Sequence, residues 1–179
     1  GQYQTGLEVL DADGFSALNK KIVGVVVNHT SIDKHSKHLI QLASDNGVQI
    51  KAVFTPEHGY RGVVEAGETV EDGIESLTGA PIYSLYGENK KPTPQMLSGL
   101  DVIVFDIQDI GVRYYTYIST LTYVIEAAAE NEVQIWILDR VNPLGREVQG
   151  PTLEKEFTSF VGMHPIPVRH GMTFGELAT

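Results

Sequence analysis

VIVFDIQDIGVRYYTYISTL, residues 102–121, carries a strand, a polar loop and the start of a helix in one run. Val102–Asp106 is β-branched and aromatic without alternation, the pattern of a strand buried on both faces. From Tyr117 to Asn131, Ile118, Leu121, Ile125 and Ala128 recur at helical spacing. The same alternation continues outward on both sides. Ile22–Asn28 (IVGVVVN) reads as a buried central strand, and Lys34–Asn46 as a helix with Leu39, Ile40 and Ala43 on one face. Val48–Phe54 is a second strand, and Ile82–Tyr86 a short one. Thr93-Pro94 caps a short helix to Leu97, and Val133–Leu138 is the last strand. Short apolar strands alternating with helices predict an α/β fold: a Rossmann-like, mostly parallel sheet with helices on both faces.

The chain has 179 residues, 42% of them hydrophobic and 20% charged, enough for a substantial core. Its net charge of −10 argues against a nucleic-acid partner, which needs a basic face to displace counterions from phosphates. With no cysteine, disulfides, thiolate zinc sites and a cysteine nucleophile are all ruled out. No apolar run reaches the roughly 18 residues that span a membrane. The start at Gly1, without Met, reads as a processed or engineered end. Thr173-Phe174-Gly175-Glu176 matches a capping box that opens a helix about one turn before Thr179. A helix so short does not hold itself together, so 1–170 are expected to form the Rossmann-like domain and 171–179 to begin a second.

In open α/β sheets ligands bind beyond the carboxyl ends of the strands. Three such ends carry polar clusters: residues 55–62, 106–117 and 139–143. If the sheet is parallel, all three emerge at one edge. Asp106, Asp109 and Asp139 each read equally as helix or turn caps, Asn142-Pro143 as a turn, and Tyr114, Tyr115 and Tyr117 as packing. Glu57-His58 resists a packing explanation, being an ionisable pair between Pro and Gly just beyond an apolar strand. Arg61, Arg113 and Arg140 fall in these loops and Arg169 precedes His170, a placement suited to a carboxylate or phosphate. No G-x-G-x-x-G or Walker sequence supports a nucleotide. The histidines form no metal-ligand pattern, and His35 and His38 read as surface residues of a helix.

The segments PEHGYRG (56–62), AGE (66–68), TGAPIYSLYG (78–87), DIQDIGVRYYTYISTL (106–121), LDRVNPLG (138–145) and PIPVRHGMTFGELA (165–178) occur in that order. Together they resemble the NamZ/YbbC family of exo-acting β-N-acetylmuramidases, over nearly the whole chain. The resemblance implies a glycosidase that releases N-acetylmuramic acid from the non-reducing end of peptidoglycan fragments, periplasmic or extracellular, with no metal or organic cofactor. Its partner would be a peptidoglycan-derived sugar or muropeptide. The alternative is a domain that binds muropeptides without cleaving them.

Glycoside hydrolysis usually takes two carboxyl groups. On the resemblance, Glu57 is the leading one, with His58 orienting it or touching sugar, and Asp106, Asp109 and Asp139 are candidates for its partner. Arg61, Gln108, Arg113, Tyr115 and Tyr117 are expected to bind substrate, as are Arg140, Asn142, Arg169 and His170. The chain departs from the family pattern at Val141, where Pro is usual, and at Gln149, where Glu is usual, although Glu147 lies two residues upstream.

Overall fold

The β-branched run Ile22–Val27 forms β1, the centre of the sheet, with five of its six residues buried. A computed structural model describes residues 3–56, 73–86, 90–112, 116–157, 159, 163–164, 166–170 and 172–179. Around β1 lie β2 (Gln49–Thr55), β3 (Ile82–Ser84), β4 (Val102–Asp106) and β5 (Gln134–Ile137). The strands run in the order β3-β2-β1-β4-β5, and every pairing is parallel. β1 therefore sits where the strand order reverses, and the loops after all five strands leave from one edge. The register of β1 on β4, Val23 opposite Val102 to Val27 opposite Asp106, brings Asp106 to that edge beside the end of β1.

Side chains alternate across the sheet and build two cores. Val23, Val25 and Val27 join α1 (Gly6–Ala12) and α2 (Leu39–Asp45) on one face. Val26, Ile103 and Phe105 join α3 (Pro94–Leu97), α4 (Tyr117–Glu130) and α5 (Phe174–Leu177) on the other. Both faces are thus covered by helices, as an all-parallel sheet requires.

Two features depart from the sequence reading. The helix expected from Lys34 begins at Leu39, because Asp33 Oδ1 accepts the amides of His35 and Lys37 and closes a turn there. Ser36, at φ +63°, breaks any helix through the turn. His38 is not a surface residue of that helix but its N-cap. Its Nδ1 accepts the Ile40 amide at 3.1 Å, so Nε2 carries the proton and donates to Asn28 O at 2.9 Å.

The second departure is a two-stranded antiparallel sheet, β6 (Gln149–Thr152) with β7 (Pro167–Arg169). Pro151 and Pro167 hide it from strand patterning, since Pro is tolerated in strands chiefly at edges. Residues after 170 also pack on the sheet. Phe174 is buried edge-to-face on Phe105 of β4, centroids 5.4 Å apart, so α5 belongs to the sheet's core. The Thr173–Glu176 capping box is present, and the one-turn helix is held by tertiary contacts.

Candidate functional site

The described part of the site is built from the turns beyond β1, β4 and β5. After β1, Asn28 Oδ1 accepts both the amide and the hydroxyl of Thr30, an Asx turn. Thr30 Oγ1 in turn accepts the Gln108 amide at 2.9 Å, and Ser31 Oγ donates to Asp106 O. These contacts join the β1 and β4 turns. The Asn28-x-Thr30 spacing was the available signal for this turn. Asn28-His29-Thr30 also spells a glycosylation sequence, but with Asn28 only 2% exposed and its side-chain oxygen engaged, that pattern has no structural support.

Asp106, at the end of β4, is fully buried and meets Arg140, which is 8% exposed. Arg140 Nε donates to Oδ1 at 2.6 Å and Nη2 to Oδ2 at 2.8 Å, while Nη1 donates to Ile32 O. Burial pushes the Asp106 pKa above its ordinary value, and the hydrogen bonds and charge of Arg140 pull against that rise. The pair anchors the β5 turn beneath the β1 turn. Asp106 is closed off from any ligand, and the Nε and Nη2 groups of Arg140 are taken up by it.

Asp139 is also engaged. Its Oδ2 accepts the Thr173 hydroxyl and its Oδ1 the Gly175 amide, both at 3.0 Å, so it caps α5. A Cβ on Gly175 would sit 3.0–3.1 Å from that carboxyl group, which is why the position is glycine. Asn142 is a turn residue, as one reading had it, and a crosslink as well. It is 4% exposed, its Oδ1 accepts the Leu144 amide, and its Nδ2 donates to Met172 O. Gly111 (φ +80°) presses against it so closely that a Cβ would lie 2.4 Å from Asn142 Oδ1.

Asp109 and His170 meet in the interior, with Oδ2 and Nε2 3.1 Å apart and side chains 5% and 1% exposed. His170 Nδ1 accepts the Met172 amide, so the imidazole is a buried link and not a group presented to substrate. Tyr117 is buried in the α4 core, the packing alternative for that residue. Arg169 lies on β7, pairing with Glu147 at 3.2 Å and donating to Leu144 O. Gln149 is exposed on β6, opposite Arg169. Gln108 is half-buried, and its Nε2 donates to Asp109 O and Val141 O, both at 2.8 Å.

Glu57, His58 and Arg61 lie outside the described residues, as do Arg113 and Tyr115. Thr55 and Pro56, which lead into Glu57, are buried at the carboxyl end of β2. At the same sheet edge a cavity of about 500 Å³ opens beside the β1, β4 and β5 turns, lined by Tyr3, His29, Thr30, Lys34, Gln108 and Arg140. Among the described residues, no three His, Asp or Glu side chains gather as a metal site would require.

The sequence model of the family described as exo-β-N-acetylmuramidase NamZ, N-terminal, matches residues 23–179. The chain belongs to the NamZ N-terminal family. It is 47% identical over 178 residues to the peptidoglycan β-N-acetylmuramidase NamZ of Bacillus subtilis (strain 168), covering 98% of this chain and 43% of that protein. Two crystal structures of DUF1343 family proteins from Bacteroides fragilis NCTC 9343 share the fold. One has a TM-score of 0.86 at 45% identity, covering 98% of this chain and 44% of that one. The other has a TM-score of 0.84 at 39% identity, covering 99% and 46%. The chain spans less than half the length of these NamZ-related proteins. Its α/β, Rossmann-like architecture is theirs.

Proposed function

We propose that this protein hydrolyses the β-linkage of N-acetylmuramic acid at the non-reducing end of peptidoglycan fragments, outside the cytoplasm. The observation that carries the reading is 47% identity to a peptidoglycan β-N-acetylmuramidase across 98% of the chain. Support comes from the family match and from the placement of Pro56, one residue before Glu57, at the carboxyl edge of a parallel sheet. A glycosidase of this kind has an acid that protonates the leaving oxygen while water, activated by a second group or entering after a covalent intermediate, takes the anomeric carbon. Glu57 is the leading carboxyl, with His58 beside it. Asp106, Asp139, Arg140 and Asn142 hold the turns beyond β1, β4 and β5 at the same sheet edge.

Muramic acid carries a lactyl carboxylate, and an arginine suits it. Arg140 is engaged by Asp106, and Arg169 by Glu147 and Leu144 O, so Arg61 and Arg113 are assigned to that group. The test is Glu57→Gln assayed on a chromogenic N-acetylmuramide. Turnover should fall at least about a thousandfold with the melting temperature unchanged; retained turnover would reject the assignment. A second reading, muropeptide binding without hydrolysis, is favoured by exposed Gln149 where the family pattern has Glu. Calorimetric binding of muropeptide with no release of muramic acid by the unaltered protein would select it.

A further inference from the structure

Four contacts and two peptide bonds close a ring through three loops. Gln108 Nε2 reaches Val141 O at 2.8 Å; Asn142, the next residue, gives Nδ2 to Met172 O at 2.9 Å. The Met172 amide donates to His170 Nδ1 at 3.2 Å, and His170 Nε2 faces Oδ2 of Asp109, the neighbour of Gln108. Every link but one is an aligned hydrogen bond to or from the backbone, or a peptide bond. The exception is Asp109–His170. Because Nδ1 is an acceptor, the ring's proton sits on Nε2, yet Nε2 and Oδ2 are off the hydrogen-bonding line and neither has another partner among the described residues. Both are buried. A buried polar pair left unsatisfied is unfavourable for folding, so a purely structural clamp here would be better made of apolar or fully paired groups.

We infer that Asp109 and His170 are a positioning pair: the one adjustable link in the ring, setting how the β4 loop sits against the end of β7 when a sugar engages the rim. Around it the ring is stiff. The amide of His170 donates to Gly111 O at 3.2 Å, Val112 bridges Arg169, and Gly111 is packed on Asn142 without room for a methyl group. Movement at Asp109–His170 is therefore transmitted to Gln108 and to the Gly111–Val112 turn. Neither group touches substrate; they act through the loop. The inference rests on the proposed muramidase reading for the identity of the sugar, but not for the state of the pair.

The experiment compares Asp109→Asn, His170→Asn and the double variant with the unaltered protein. Asparagine at 109 keeps the shape and a hydrogen-bond acceptor for Nε2–H while removing the carboxyl charge. The expected result is a melting temperature unchanged or raised, KM for the muramide raised about tenfold, and kcat within about twofold. Calorimetric affinity for N-acetylmuramic acid should weaken in parallel, and the double variant should be no worse than either single one. Nitrogen-15 spectra of the unaltered protein should show His170 protonated at Nε2 and not at Nδ1. A melting temperature lowered by more than about 5 °C, or KM and affinity left unchanged, would overturn the pair's role and leave it a structural contact. If the unaltered protein neither cleaves nor binds muramic acid, the proposed function has failed. The melting temperature and nitrogen-15 spectra then still decide the pair.

Discussion

Asp106 and Arg140 show how much one buried pair commits a residue. Two charge-assisted bonds, at 2.6 and 2.8 Å, engage both carboxyl oxygens inside the protein. The large effect of such a pair appears when one partner is removed, because the other is left buried and uncompensated. Arg140→Ala is expected to destabilise the fold by about 3–5 kcal/mol in urea denaturation. Replacing both residues with apolar side chains of similar volume should restore much of that loss. A loss below about 1 kcal/mol for Arg140→Ala would mean that Asp106 finds another partner. Asp139, with both oxygens on α5, shows the same economy at a half-exposed position. Of the three aspartates proposed as partners of Glu57, only Asp109 retains a buried oxygen without a hydrogen bond.

At the scale of elements, α2 starts on an imidazole, and its stability follows that ring. Burial lowers the His38 pKa from 6.5 to about 4, while its bond to Asn28 O works in the opposite direction. The cap needs neutral Nδ1 as an acceptor; a protonated ring would point a donor at the Ile40 amide. A folded-state value below the unfolded one means that the unfolded chain takes up the proton first. The contribution is therefore complete above about pH 6.5 and is lost as pH falls towards about 4, to the extent of roughly 2–3 kcal/mol. His38→Asn supplies an acceptor that does not titrate, and should flatten the urea midpoint between pH 6.5 and 4 relative to the unaltered protein. Equal slopes would show that other groups govern the acid limb. The site is affected too, since His38 holds the Asn28 carbonyl in the turn that seats Gln108.

For the molecule as a whole, a net charge of −10 repels anionic ligands at long range, so recognition of a carboxylate has to be local. Substrates with the lactyl carboxylate should therefore be preferred over matched β-N-acetylglucosaminides by at least about tenfold in kcat/KM. The preference should narrow in about 0.5 M salt, where the Debye length shrinks below 5 Å. Equal kcat/KM for both sugars would remove the arginine–carboxylate assignment. No helix among the described residues is long and apolar enough to cross a membrane, in keeping with the hydropathy of the sequence.

The fold class was legible because its signals are local. IVGVVVN and VIVFD can hardly be anything but buried strands, VQIWIL reads as a strand, and Thr93-Pro94 and Thr173-x-x-Glu176 announce their own helices. The T-x-x-E signal at Thr5–Glu8 marks the start of α1 in the same local way. Family membership was legible for the same reason, from contiguous motifs. Side-chain partners were not. Whether Asp106 is a catalyst or an anchor depends on a guanidinium 34 residues away, and whether Asp139 caps a helix depends on Gly175, 36 residues away. Periodicity and turn chemistry act within a few residues and can be read along the chain. The pairing of a buried charge is settled by whatever the packed sheet brings beside it, and that choice exists only once the chain has folded.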